Sequence, residues 1–335
     1  MFVLQLDFLV YFLIFVVLLV LIQVYFRIAD RFNVVDKPNH RSSHTTLTIR
    51  GGGIIFPIAF LVYCVGHLVL PVFLPFEYPF FLIGLLLISL ISFVDDVKPV
   101  SNRLRILIHL VAAGLLFFQL GILSMPLYVI LILLFVTIGT INAINFMDGI
   151  NGITGGYAFI TLLSLLFLNE VKALYFSPTS LIVTTLIAVV VFNIYNFRTK
   201  AKCFAGDVGS VSISFILLFF IGQLIIQTGQ ISYILFLFLY GLDTATTIVF
   251  RLFRKERIFD AHRSHFYQFL VNERKIPHLY VASGYALIQL IFNIILISYL
   301  QLSTINLFFF LIVITGLFLA LRFKMEGKNR LLESH

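Results

Sequence analysis

Charge is what this sequence has least of. Only 11% of its 335 residues are Asp, Glu, Lys or Arg, against about 25% in an ordinary soluble domain. Hydrophobic residues make up 61%, and a mean hydropathy of +1.07 argues against a water-soluble fold. Cysteine is nearly absent: Cys64 lies in an apolar run and Cys203 in a basic loop. With no CxxC pattern, no disulfide framework or redox motif is encoded. No Cys/His set has zinc spacing, and the lack of a GxxxxGK[ST] stretch excludes a P-loop ATPase. The first run, MFVLQLDFLVYFLIFVV, has neither a basic region before it nor a small-residue cleavage site. It reads as a retained helix, not a signal peptide.

What the chain does have is long apolar runs. A membrane-spanning helix needs roughly 20 mostly apolar residues. Eleven segments qualify: 4–26, 54–74, 79–94, 105–122, 126–144, 153–168, 179–195, 208–226, 231–250, 281–300 and 304–321. Runs such as ILILLFVTIG are apolar on every face, whereas barrel strands alternate. The expected fold is therefore all-α: a polytopic integral membrane bundle of about 11 transmembrane helices, forming a single domain over 1–335. The net charge of +8 does not point to nucleic acid, because basic residues collect in cytoplasmic loops. All 23 Lys and Arg residues except Lys172 fall in loops or tails on one side. That side is expected to be cytoplasmic, with loops near 27–53, 95–105, 142–152, 196–207 and 251–280. An odd number of spans then puts the N-terminus outside and the C-terminus in the cytoplasm.

The remaining polar residues favour the same side. They form four clusters: FVDDVKPVSNR (93–103), NAINFMDGING (142–152), FAGDVGS (204–210) and FDAHRSHFYQ (259–268). Singly, each has an ordinary explanation. Asp207 could be an N-cap, Asp95-Asp96 a solvated turn, and the glycines of the second cluster a helix end. Together they gather carboxylates and amides, which suit Mg²⁺ or Mn²⁺. They also supply basic residues that neutralise phosphates and glycines that let backbone approach a ligand. Such a set points to a phosphate-bearing, nucleotide-like substrate. Asp243 stands apart, eight residues before Arg251 and about 12 Å from the helix end. An ionisable group at that depth is either functional or a helix–helix hydrogen-bonding residue.

The four clusters, in this order, resemble the polyprenyl-phosphate N-acetylhexosamine-1-phosphate transferase family. The loop DKPNHRSSHTTLTIRGGG (36–53) resembles that family's first cytoplasmic loop, so the likeness spans roughly 36–270. The resemblance implies transfer of a sugar 1-phosphate from a UDP-sugar to undecaprenyl phosphate, releasing UMP. The product would be the first lipid-linked intermediate of a cell-surface polysaccharide. It places the site on the cytoplasmic face of the plasma (inner) membrane. The implied catalytic residues are Asp95, Asp96, Asp148 and Asp207, with Asp207 and Asn145 holding Mg²⁺, or Mn²⁺ in its place. The implied substrate-binding residues are Lys98, Asn142, Asn145, Asn151 (at the uracil), His262, Arg263 and His265. Many relatives carry a multi-histidine run where this chain has HRSHFYQ, with Tyr267 and Gln268 at the later positions. This variant looks more like the branch that initiates O-antigen or capsule, and it implies an N-acetylated sugar that need not be N-acetylglucosamine. Tyr267, Gln268 and Asp243 are further candidates, the first two as readers of the sugar. A homodimer is left open. The rival class is a transporter or lipid-carrier flippase, which Asp243 and the many helices would suit. Against it stand the one-sided polar residues and the lack of two similar halves.

Overall fold

The computed structural model describes residues 2–36, 47–257, 263–299 and 304–333. Eleven of its helices are long and apolar enough to cross a membrane, in agreement with the count from the sequence. In chain order the helices are α1 (Phe2–Arg31), α2 (Ile55–Val69), α3 (Pro79–Val97), α4 (Asn102–Gln119) and α5 (Leu127–Met147). They continue with α6 (Ile153–Glu170), α7 (Thr179–Asn196), α8 (Gly206–Thr228) and α9 (Phe238–Phe253), the last entered through a 3₁₀ turn at Ile231–Leu237. The short α10 (Phe266–Asn272), then α11 (His278–Tyr299), α12 (Thr304–Glu326) and the short α13 (Lys328–Leu332) complete the chain. Among the described residues, the two strands are β1 (Val35–Asp36), paired antiparallel with β2 (Thr48–Ile49), and a single parallel bridge links Ile49 to Cys203. Helix is the only open-ended element whose backbone groups are satisfied within one segment in lipid.

Helix α8 is the centre of the bundle. Its apolar stretch is the most buried of the eleven, while that of α12 faces almost wholly outward. α2, α3, α5 and α6 pack around α8, and α11 packs on α6. Buried phenylalanines fill the joints: Phe81 stacks on Phe219 at 3.9 Å and on Phe215 at 5.5 Å between ring centroids. Two helix ends differ from expectation in ways that matter. α2 stops at Val69 rather than 74, because Leu70 precedes Pro71 and leaves helical geometry (φ −131°, ψ 61°). α5 continues to Met147, which puts Asn142 and Asn145 in its final turns instead of a loop.

The beginning of α8 is where the site is assembled. A Cβ on Gly53 would lie 2.2 Å from the Cα of Gly209, so the segment after β2 crosses α8 backbone against backbone. Gly206 adopts φ +71°, and a Cβ there would meet the Asp96 carboxylate at 2.6 Å. This contact of glycines carries Arg50 to the mouth of α8.

Candidate active site

The first N–H groups of a helix have no partner within it. In α8 they are met from another helix. Asp96, at the end of α3, accepts from the N–H of Asp207 (2.9 Å) and of Val208 (3.0 Å). Its side chain is fully buried and also pairs with Arg50 Nε at 2.7 Å. A carboxylate at a helix N-terminus is further favoured by the helix dipole. Asp207 is therefore not the N-cap of its own helix. It lies in the first turn, with Arg50 Nη2 at 3.8 Å and Arg105 Nη1 at 4.0 Å.

Asp95 turns the other way. Its carboxylate accepts the Val100 N–H at 2.7 Å and pairs with Arg105 Nη1 at 2.7 Å. Successive helical residues point about 100° apart, so one acid serves α8 and its neighbour serves α4. Tyr25 steadies the Arg50 loop, its hydroxyl donating to the Arg50 carbonyl at 2.5 Å. The Asp96 and Asp207 charges hold the Arg50 guanidinium above its ordinary pKa, although burial works in the opposite direction.

The elbow after α5 faces this cluster. Asp148 accepts a 2.6 Å hydrogen bond from Thr154. Burial pushes its carboxyl up to about 7. The Thr154 bond opposes that shift, while the charges of Asp207 and Asp96 add to it. Asn145 is half-buried in the last turn of α5. Asn142 donates to the Ile138 carbonyl of its own helix at 2.9 Å. Asn151 is buried, and its amide donates to the carbonyls of Arg198 (2.9 Å) and Thr199 (3.2 Å). Gly152 donates to Asn196, which in turn donates to the Cys203 carbonyl. Asn151 and Asn196 thus fasten the basic loop 197–203 to the elbow. Lys98 caps α3 and is exposed.

The HRSHFYQ residues form a second group. His262 lies outside the described residues. Arg263 is half-buried. His265 is buried, with Nδ1 3.6 Å from Asp243. Its N–H donates to the Gln268 side chain at 3.3 Å, one half of a capping box that starts α10. Tyr267 is fully buried, with its hydroxyl on the Phe146 carbonyl at 2.9 Å. The Tyr267 hydroxyl and the Gln268 side chain both have partners within the protein. Asp243 is fully buried and accepts from Phe266 N–H (2.9 Å), Tyr267 N–H (3.3 Å) and Tyr285 Oη (2.6 Å).

Sequence reading took Arg50, Arg105 and Arg322 only as cytoplasmic positive charges and passed over Thr154. Arg50 immediately precedes GGG, and Arg105 follows Asp95 by ten residues. Those spacings were the available signal for the two arginines. Arg322 carried none: it comes from α12 to donate to Thr246 (2.9 Å), Thr247 (3.0 Å) and the Ser264 carbonyl (3.0 Å).

Among the described residues, no three His, Cys, Asp or Glu side chains converge as a metal cage. Magnesium needs less, being held usually by one or two carboxylates plus substrate phosphates. Asp207 suits that role: it is partly open and oxygen-bearing, and its cluster is rich in acids.

A search of the curated proteins returns no match. The family model for glycosyl transferase family 4 matches residues 78–228. This is a family of phosphoglycosyl transferases, which pass a sugar phosphate to a polyprenyl phosphate. Arg50, Asp243 and the HRSHFYQ loop lie outside the matched segment. Residues 78–228, which carry Asp95, Asp96, Arg105, Asp148 and Asp207 in this multi-pass membrane protein, are thus the part of the chain that is similar to glycosyl transferase family 4.

Proposed function

We propose that this protein transfers an N-acetylhexosamine 1-phosphate from a UDP-sugar to undecaprenyl phosphate, releasing UMP. The reading places the reaction at the cytoplasmic face of the plasma membrane, with the N-terminus outside. The observation that carries it is a change of character along α5. Thr140, Ala143 and Ile144 line an apolar groove of about 550 Å³ shared with α9 and α12. At the end of the same helix, past Asn145 in its last turn, Asp148 lies close enough to the carboxylate cluster to feel the charges of Asp207 and Asp96. Apolar wall beside polar site is what a lipid phosphate requires.

An oxygen of the acceptor phosphate attacks the sugar-linked phosphorus of the donor. The bond from that phosphorus to the UMP oxygen breaks, and UMP departs with the electron pair. A phosphate monoester loses its second proton near pH 6. The acceptor is therefore mostly dianionic at neutral pH, and no strong general base is required. Positioning and charge neutralisation dominate such transfers. Asp207 and Asn145 would hold a divalent ion, which supplies cancellation of the repulsion between two anionic substrates and stabilises departing UMP. Arg50 and Arg105 stand between the acids, where their guanidiniums can turn to phosphate oxygens. Asp96 fixes the start of α8, and Asp95 orients Arg105. Arg263 and His265 are assigned to the pyrophosphate, and Asn151 to the uracil side of the elbow.

The test is radiolabelled UDP-sugar added to membranes containing the protein and undecaprenyl phosphate. Label should move into the organic phase, with UMP released in equal amount. Mass spectrometry across a panel of UDP-N-acetylhexosamines then identifies the sugar. No lipid product from any of them refutes the reading.

A further inference from the structure

The elbow after α5 and the start of α10 lie more than a hundred residues apart, and the Tyr267 side chain reaches from one to the other. The carbonyls of a helix's last turn lack partners inside the helix. In α5, the Asn145 carbonyl is met by the N–H of Asp148 and that of Met147 by the N–H of Gly149, both at 3.1 Å. Between them, the Phe146 carbonyl accepts from the Tyr267 hydroxyl at 2.9 Å. Gly149 supplies a second, independent sign of this contact. A Cβ there would lie 2.2 Å from the Tyr267 hydroxyl oxygen and 3.1 Å from its Cζ. Gly149 is not among the positive-φ glycines, so it is the tyrosine, not the backbone, that excludes a side chain.

Tyr267 is itself held firmly. Asp243 accepts the N–H groups of Phe266 and Tyr267 and the hydroxyl of Tyr285, with Arg322 Nη1 at 3.8 Å. Burial first, then the charges of Asp243 and Asp148, push the Tyr267 phenol well above its ordinary pKa, so it remains a donor across the working pH range.

We propose that Tyr267, anchored by Asp243, is a positioning residue that clamps the end of α5 and so sets the place of Asn145 and Asp148 in the site. The proposal rests on the transferase reading. It gives the buried acid a task without ion transport, and it gives Tyr267 an effect on rate without contact to the sugar.

The test is a double-mutant cycle on full-length protein: Tyr267→Phe, Gly149→Ala and the pair, assayed with undecaprenyl phosphate and UDP-N-acetylglucosamine or UDP-N-acetylgalactosamine, whichever the wild type uses. Tyr267→Phe keeps the ring. It should leave the melting midpoint in detergent within a few degrees and the donor KM within about twofold. Its kcat should fall about tenfold, equivalent to about 1.4 kcal/mol. Gly149→Ala should lose more, because the new methyl collides with the hydroxyl. The double variant should be more active than Gly149→Ala alone, since removing the hydroxyl makes room. Losses that multiply, or an unchanged kcat in Tyr267→Phe, overturn the proposal and leave the transferase reading standing. Absence of lipid product from the wild type overturns both. If Gly149→Ala fails to fold, recovery of folding in the double variant supports the contact; if both fail, the kcat-against-KM split of Tyr267→Phe decides.

Discussion

Replacing Asp96 by Asn conserves size and removes charge, and the structure sets what that costs. Both carboxylate oxygens are in use: Oδ1 takes the Asp207 N–H and Arg50, and Oδ2 takes the Val208 N–H. An amide presents one oxygen and one NH₂ group, so an NH₂ must face a donor whichever way it turns. Hydrogen bonds to a charged group contribute about 1.5–3 kcal/mol each, and a buried donor left unmet costs about 1–3 kcal/mol. The Arg50 pair counts for less, because the arginine side chain is 36% exposed and solvent screens it. The total is about 3 kcal/mol, lost from the start of α8 where Asp207 sits. Asp95→Asn loses a partly exposed pair with Arg105 and keeps an oxygen for the Val100 N–H, for a cost of about 1 kcal/mol. The two variants should therefore separate. Asp96→Asn should lower the thermal midpoint in detergent clearly and lower turnover on the order of 100-fold or more. Asp95→Asn should leave the midpoint near that of the wild type while still slowing transfer. The assay pairs a thermal shift measurement with radiolabel partition. Equal shifts of midpoint and equal kinetic losses would refute the division of labour between α8 and α4.

Other outcomes follow from the same geometry. Excess EDTA should abolish transfer, and added Mg²⁺ or Mn²⁺ should restore it; full activity in chelator would remove the ion from the scheme. Asp148 is raised to about 7 from 3.8, so the folded protein holds a proton that the unfolded chain has released between those values. Stability should consequently fall as pH rises from about 4 to about 7, and Asp148→Asn should flatten that slope of melting midpoint against pH. Thr154→Val removes the hydrogen bond that lowers Asp148 and should displace the midpoint of the slope to higher pH; no displacement would deny the Thr154 contact its effect. Arg105→Lys should retain a charge near Asp95 but cut kcat at least several-fold, because an ammonium held on Asp95 lacks the further N–H groups that the guanidinium can offer a phosphate. Activity equal to wild type would return Arg105 to the role of a simple cytoplasmic charge.

How much could be read beforehand depended on the range of the interaction. The eleven spans were legible because lipid imposes one local rule, about 20 apolar residues with every backbone group bonded inside the helix. The polar clusters were legible as islands within that pattern. Partnerships were not, because capping rules describe neighbours in sequence, whereas the cap of α8 comes from Asp96, 111 residues earlier. Asp207 therefore had the sequence of an N-cap and the position of an open carboxylate. The same reasoning accounts for Asp243. By depth alone it resembled an acid in a carrier's ion path. The structure commits it to two backbone N–H groups and a tyrosine hydroxyl, all buried. A carboxylate that must gain and lose an ion needs oxygens that can be vacated, and these oxygens hold Phe266 and Tyr267 at the start of α10. The depth of Asp243 thus follows from what it supports. A loop that reaches the elbow through Tyr267 has to be fastened below the membrane surface, about two turns of helix inside the point where Arg251 emerges to pair with Glu256.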